Sequence, residues 1–400
     1  MRKTAKDLLL LGLTTIFSTL LVWFPFSLGL GKGMLSVFAN YDGPNYIIVA
    51  KTLYNKTLIG TSFSLPLPLE YYPAHLPGYP LLIKFFNLFL PGTWAMLSVT
   101  LFTTILAVSM FYLFVKKFNL STPASSFFLS LLFLFLPARW LVVRSIGSPE
   151  PLFIFAILAS FYFFKSAFEK KESNLFLKYK SVTLDFFLAG LFGAIAQITK
   201  TPGILLFVAY LIYLGYHYLN HRPTDTKSRY SVCLCHKITW FNLLPLFLIP
   251  LSILPVFWFY KIQTGDFLAY FHSGDNFHLV FPPLQSFVTG RNWLGDFWLE
   301  DMIFIYLFGA LTVVLLFKQK LYDLATFALV FFTATLFVAH RDLSRYSLPL
   351  APFYLLAFSP FLEKKEFKIA FFFILIPIYL YAINFILHNT APVADWTPYL

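Results

Sequence analysis

Charge is scarce in this chain, and acid is the scarcest of all. Asp, Glu, Lys and Arg make up 12% of its 400 residues, where a soluble domain carries roughly 25%. Only 18 residues are acidic, against 30 Lys and Arg. So little charge cannot clothe a water-exposed globular enzyme of this size. Cysteine is almost missing too: Cys233 and Cys235 are the only two, which rules out a disulfide framework. A CxC pair near His217, His221 and His236 lacks the spacing of a zinc site, so no metal is expected there. No internal repeat, low-complexity tract or domain-sized hydrophilic insertion interrupts the chain.

What fills the space is apolar: 58% of the residues are hydrophobic, and 52 are Phe. Runs long enough to cross a bilayer, ~17–25 residues, recur from end to end. They fall near 8–30, 94–115, 123–138, 150–165, 184–199, 202–219, 240–260, 301–317, 322–339, 346–362 and 369–387. The chain therefore reads as an all-α polytopic membrane protein, one membrane domain over 1–400 with about 11–13 transmembrane helices. The run 8–30 is too long for a signal-peptide core and has no small-residue cleavage site, so it is expected to be a retained span.

The connecting segments alternate in basic content. "MRKTAK", "KK", "KSAFEKKESNLFLKYK", "HRPTDTKSR…CHK", "KQK" and "EKKEFK" hold 19 of the 30 Lys and Arg. By the positive-inside rule these face the cytoplasm, with the N-terminus, and the remaining loops are extracytoplasmic. A bacterial-type cytoplasmic (inner) membrane suits this pattern. One segment tests the scheme: "YPLLIKFFNLFL", 79–90, is apolar but short and contains Lys84. A full crossing there would invert every later loop, so it is expected to re-enter or to lie within protein at the interface.

Two outer loops are long, 31–79 and 261–301. The first holds a lone acid, Asp42, in "FANYDGPNYIIVAKTLYN". Tyr46, Val49, Ala50, Leu53 and Tyr54 recur at helical spacing, which predicts an amphipathic helix over 44–56 on the outer membrane surface. The plain account of Asp42 is then a helix cap. Downstream, "LEYYPAHLPGYPLLIKFF" is punctuated by Pro73, Pro77 and Pro80 and cannot be one straight helix. Tyr71, Tyr72 and Tyr79 surround His75 there, an arrangement also ordinary in an interfacial aromatic belt.

These residues carry a resemblance. "NYDGPNYIIVAK" followed by "EYYPAHLPGYPLLIKFF" resembles the GT-C glycosyltransferases, and most of all bacterial relatives of the GPI mannosyltransferase II (PIG-V-like) group. "SPEPLFIFAILASFYFF", "LAGLFGAIAQITKTPGILLF" and "RYSLPLAPFYLLA" follow in the matching order, so the likeness extends over almost the whole chain. It implies a GT-C-like bundle whose long first extracytoplasmic loop carries interfacial helices and the active site. It implies an enzyme that moves a sugar, mannose or another hexose, from a polyprenyl-phosphate donor to a glycan, glycolipid or protein acceptor. The acid of the first loop, carried over, is Asp42. Three positions depart from the pattern: Tyr41 replaces Trp, Pro149-Glu150 stands where Glu-Ser is usual, and Lys200 stands where Arg is common. No second acid adjoins Asp42, so a two-acid metal site is not expected; a divalent metal is left open and no other cofactor than the lipid-linked donor is implied.

The chemistry gives each residue a role. Attack of an acceptor hydroxyl on the anomeric carbon inverts it and needs a base, for which Asp42 is the candidate. Glu150, a second candidate acid, has a plainer alternative as a helix N-terminal charge. The departing phosphate needs cations: Arg345 first, then Lys200 and Arg144, with His75. Tyr41, Tyr72, Tyr79 and Arg341 complete the expected substrate contacts, and Arg139 and Arg291 are further outer cations. Membrane-edge Lys and Arg also snorkel to headgroups without any site. In the second loop, Asp275 with His272 or His278 is a weakly specified metal pair, and acceptor recognition suits that loop better. Two other classes compete: a transporter or lipid flippase, and a non-catalytic subunit of a glycan-assembly complex. A transporter places charge at the midplane, whereas Lys84, Asp185, Lys200 and Asp323 fall near predicted span ends. No feature points to nucleic acid.

Overall fold

Backbone groups in hydrocarbon have no water to bond, so long apolar runs must satisfy themselves internally. In the computed structural model they do so as helices. The described residues are 2–118, 120–121, 123–169, 175–220, 240–274, 278–288 and 299–400. Among them there is no β-strand, only the isolated bridges Asn40–Thr390 and Leu279–Val338. Cys233, Cys235, His221, His236, Asp275 and Arg291 lie outside the described residues.

Among the described residues, eight segments are long and apolar enough to cross a membrane: Lys3–Ser27, Gly92–Lys117, Glu150–Phe168, Ser181–Thr199, Thr201–Leu219, Phe241–Thr264, Leu299–Lys318 and Lys365–His388. Three of the eleven expected spans are shorter. In place of 123–138 the chain forms Pro123–Leu132, and in place of 322–339 it forms the 15-residue helix Tyr322–Leu336. The stretch 346–362 breaks into Leu343–Tyr346, Leu348–Leu350, Ala351–Ala357 and Ser359–Leu362. Pro349, Pro352 and Pro360 account for the last, since each removes a helical donor. The segment tested by Lys84 is a nine-residue helix, Gly78–Phe86, about 14 Å long and far short of a ~30 Å hydrocarbon core.

The elements that build the site are α1 (Arg2–Ser27), α2 (Gly43–Thr52), α3 (Gly78–Phe86), α4 (Gly92–Lys117), α5 (Ala138–Val143), α6 (Glu150–Glu169), α7 (Leu175–Thr199), α8 (Ile204–Asn220), α9 (Tyr322–Leu336), α10 (Leu343–Tyr346) and α11 (Lys365–His388). Helix α6 packs along α7 and α4. Its apolar window is 72% buried, against 17% for α11, so α6 runs through the middle and α11 along the flank. Whatever stands at the head of α6 is therefore interior.

The first outer loop differs from expectation. Helix α2 covers only 43–52, and all of its residues except Lys51 are buried. It is wedged against α3 and α4 rather than laid on the membrane surface. Leu53 and Tyr54 turn left-handed, at φ 51° and 66°, and end it. A separate helix, Lys56–Ser62, follows.

The connection from Pro123–Leu132 to α6 is also buried, without interruption from Arg139 to Glu150. Buried loop groups need partners. Trp23 Nε1 donates to the Ser145 carbonyl at 2.7 Å, and Arg144 donates to the Leu134 carbonyl, Thr19 Oγ1 and Ser18 Oγ at 2.8–2.9 Å. At one end of the bundle, Lys116 bonds Thr4, Lys117 bonds Ser166, and Lys165 pairs with Asp323 at 2.8 Å. The candidate site residues gather at the other end.

Candidate active site

Tyr41 sets up the acid. Its backbone is left-handed, φ 52°, a conformation that costs a bulky residue ~1–3 kcal/mol. Asp42 follows at the N-cap of α2, yet its side chain makes no capping hydrogen bond. The carboxylate turns instead toward a cavity of about 1030 Å³ and is about a third exposed to it, at 33%. His75 Nε2 lies 3.8 Å from one oxygen and Arg345 Nη1 3.6 Å from the other. Burial works against the Asp42 anion, but His75 and then Arg345 more than compensate and bring its carboxyl down to about 2.

Glu150 is the counterpart. Being the first residue of the central helix, it is 1% exposed. Its Oε1 receives Lys200 Nζ at 2.6 Å and Arg345 Nε at 2.7 Å, while Oε2 receives the Ser148 hydroxyl. Arg345 thus spans both carboxylates, and Lys200 shares one. Glu150 does not line the cavity; Lys200, Arg345, Asp42 and His75 do. Burial lowers the Lys200 ammonium even against the pull of Glu150.

Around this centre the walls are aromatic. Arg345 lies 4.4 Å over the Tyr41 ring, and His75 stands edge-on to Tyr46 and Tyr71 at 4.9 and 5.2 Å. The Tyr54 hydroxyl donates to the His75 carbonyl at 2.7 Å. Helix α3 wedges in behind. Gly78 approaches so closely that an added Cβ would sit 2.5 Å from Thr199 Oγ1 and 2.9 Å from the Ile198 carbonyl. Tyr79 Oη meets Thr100 Oγ1 at 2.6 Å and accepts from Ser148 N at 3.0 Å. One glycine-tyrosine pair therefore touches the elements that carry Lys200 and Glu150.

Not every expected residue arrives. Tyr41 and Arg341 line the cavity, Arg341 exposed at its rim. Tyr72 and Tyr79 are buried behind it, at 2% and 0%, and Tyr71 takes the place foreseen for Tyr72. Arg144 is a correction: it is fully buried, faces α1 and bonds only neutral groups. It holds the buried connection together and reaches no ligand. The second acid-cation pair went unforeseen. Arg139 Nη2 binds Asp342 Oδ1 at 2.5 Å and Nη1 binds Tyr381 Oη at 3.0 Å, with its guanidinium 3.7 Å over Phe385. Tyr381, Asn384, Phe385 and His388 share one face of α11, a spacing visible in the sequence at the end of an apolar run.

Both acids are engaged by cations, Glu150 does not line the cavity, and among the described residues no group of three His, Cys, Asp or Glu converges. The His278 and His340 rings lie 4.5 Å apart, tilted by 32°, and His340 Nδ1 accepts from the Asp342 amide at 3.0 Å.

No protein-family profile and no curated protein matches the sequence. Solved structures do match. The crystal structure of the Archaeoglobus fulgidus oligosaccharyltransferase tethered with an acceptor peptide superposes with a TM-score of 0.57 at 14% identity, over 98% of this chain and 56% of that one. ArnT from Cupriavidus metallidurans, bound to undecaprenyl phosphate, gives 0.53 at 13% identity, over 87% and 59%. The archaeal oligosaccharyltransferase in complex with an inhibitory peptide and a dolichol-phosphate gives 0.52 at 12% identity, over 96% and 57%. The chain spans a little over half the length of these proteins. It is an integral membrane protein with the fold of GT-C glycosyltransferases.

Proposed function

We propose that this chain is an inverting GT-C-type glycosyltransferase using a polyprenyl-phosphate-linked hexose, mannose being favoured by the motifs of its first loop. The observation that carries this is Arg345 lying between a cavity-facing acid and a buried one. The basic loops at the opposite end of the bundle support an extracytoplasmic site in the 31–79 loop. The 1–400 chain is taken as one membrane unit.

The steps follow from the geometry. The acceptor oxygen forms a bond to the anomeric carbon as the bond from that carbon to the phosphate oxygen breaks. The electron pair leaves with polyprenyl phosphate, and the hydroxyl proton passes to Asp42. A carboxylate held near 2 by His75 and then Arg345 is a feeble base. An arriving phosphate draws Arg345 toward itself, weakens that part of the hold on Asp42 and raises its basicity at the moment a base is required. Glu150, out of reach of a ligand, positions the two cations. Ile204, Leu205, Phe331 and Ala334 form an apolar lobe beside Lys200 that suits the first isoprene units.

The test is turnover of radiolabelled polyprenyl-phosphate mannose, and of the glucose and galactose analogues, by the purified protein in nanodiscs. Slow hydrolysis or transfer is expected. Asp42→Asn should lower it ~10²–10⁴-fold with the melting temperature retained. Inertness toward every lipid-linked hexose, or a preference for nucleotide sugars, overturns the reading.

A further inference from the structure

The cavity has a second lobe of different chemistry. Beside Tyr41 and Arg139, which both lie against Phe385, the end of α11 lines it with Asn384, Phe385, His388 and Asn389, and Arg341 is also in the lining. Asn384, His388 and Arg341 are exposed. The apolar lobe leads elsewhere. Leu279 and Ala334 are shared with an adjoining apolar recess bounded by Val280, Phe281 and Phe337.

The polar lobe holds several uncommitted hydrogen-bonding groups. Neither the Asn384 nor the Asn389 carboxamide bonds a protein group among the described residues, and each offers a donor beside an acceptor. His388 Nδ1 lies 2.9 Å from the Asn384 carbonyl. That oxygen can only accept, so Nδ1 carries the proton and Nε2 is left as an acceptor. The lobe's acid, Asp342, is taken by Arg139, which leaves no free carboxylate for a cationic ligand. Phe385, 5.5 Å from Tyr41, adds an aromatic wall. Paired donors and acceptors beside an aromatic ring match vicinal hydroxyls on a sugar ring.

We infer that the α11 lobe is the acceptor subsite and that the acceptor is a carbohydrate hydroxyl presented from the aqueous side. This rests on the glycosyltransferase reading and narrows its acceptor. A peptide would bring backbone amides to this wall, and a second lipid would need an apolar one. The carboxamides fix the acceptor ring, and the attacking oxygen then lies between Tyr41 and Asp42.

Two measurements test it. Saturation-transfer NMR with methyl α-mannoside and no donor should show contacts on the wild-type chain, and none on Asn384→Ala/Asn389→Ala at equal melting temperature. With labelled polyprenyl-phosphate hexose and methyl α-mannoside, the ratio of transferred to hydrolysed sugar should fall at least roughly tenfold in the double variant, about what two lost hydrogen bonds would cost. Asn384→Gln should recover part of it. An unchanged ratio, or transfer to a serine peptide that the double variant leaves intact, overturns the acceptor assignment alone. Sugar contacts on a wild-type chain that never consumes the donor uphold the subsite and overturn the enzymatic reading.

Discussion

The two ends of the bundle use the same charged residues in opposite ways. At the basic end the pairings are local: Lys165 with Asp323, Tyr112 with Asp7, Lys117 with Ser166. Each ties one helix to its neighbour. At the cavity end the contacts converge, with two cations on Glu150 and two carboxylates on Arg345. Such a contact fixes a distance between two helices. A shared pair leaves charge that a ligand can claim, because one partner is already satisfied elsewhere. The difference separates stitching from chemistry.

Substitutions should divide along that line. The largest effect is expected for Arg345→Ala, which removes the bridge and should lower transfer ~10²–10³-fold, with Arg345→Lys recovering only part because the planar fork is lost. Label released per minute is the measurement. Next, Glu150→Gln takes the counter-charge from part-buried Lys200 and one of two from part-buried Arg345 and should cost up to ~3 kcal/mol of stability, read from denaturation in detergent. The double variant Glu150→Gln/Lys200→Met should regain part of it, since removing both members relieves the uncompensated charge. At the basic end, Asp323→Asn should cost between the ~1 kcal/mol of exposed pairs and the ~3 kcal/mol of buried ones, with turnover per folded molecule unchanged. A drop in turnover there comparable to that of Arg345→Ala would break the comparison. The smallest effect is a pH dependence. Burial and then His278 lower the His340 imidazole to about 4, against an ordinary value of about 6.5. The unfolded chain therefore binds its proton first, so stability should decline as pH falls from about 6.5 to about 4 and level off below. His340→Asn should flatten that slope in melting curves.

Much of this was legible in sequence because hydropathy fixes where spans end. Asp42, His75, Lys200 and Arg345 are lone polar groups at the expected outer ends of apolar runs, and the fold brings them to one cavity. Direction was harder to read. Arg144 and Arg139 sit five residues apart on one short helix and its cap, yet one faces α1 and the other the cavity; only the packing of the buried connection decides which. Tyr71 and Tyr72 are adjacent, and a 3₁₀ turn at Tyr72–Ala74 sends them apart. The burial of α2 was hidden because its helical pattern also fits an interfacial helix. Proline cut the later spans short, which hydropathy averages conceal. The part of the cavity lining on α11 was hidden because its polar residues close an otherwise apolar run.

Arg345 has one more consequence. Asp42 and Glu150 are set against Arg345 and Lys200, so these four groups are close to electrical balance. Ordinary phospholipid headgroups, abundant at the same depth, would have to evict an internal carboxylate before settling. On the proposed reading, a guest that supplies both an anion for the guanidinium and a hydroxyl for the abandoned aspartate compensates for that eviction, and the bridge would screen visitors from the bilayer before any bond is made.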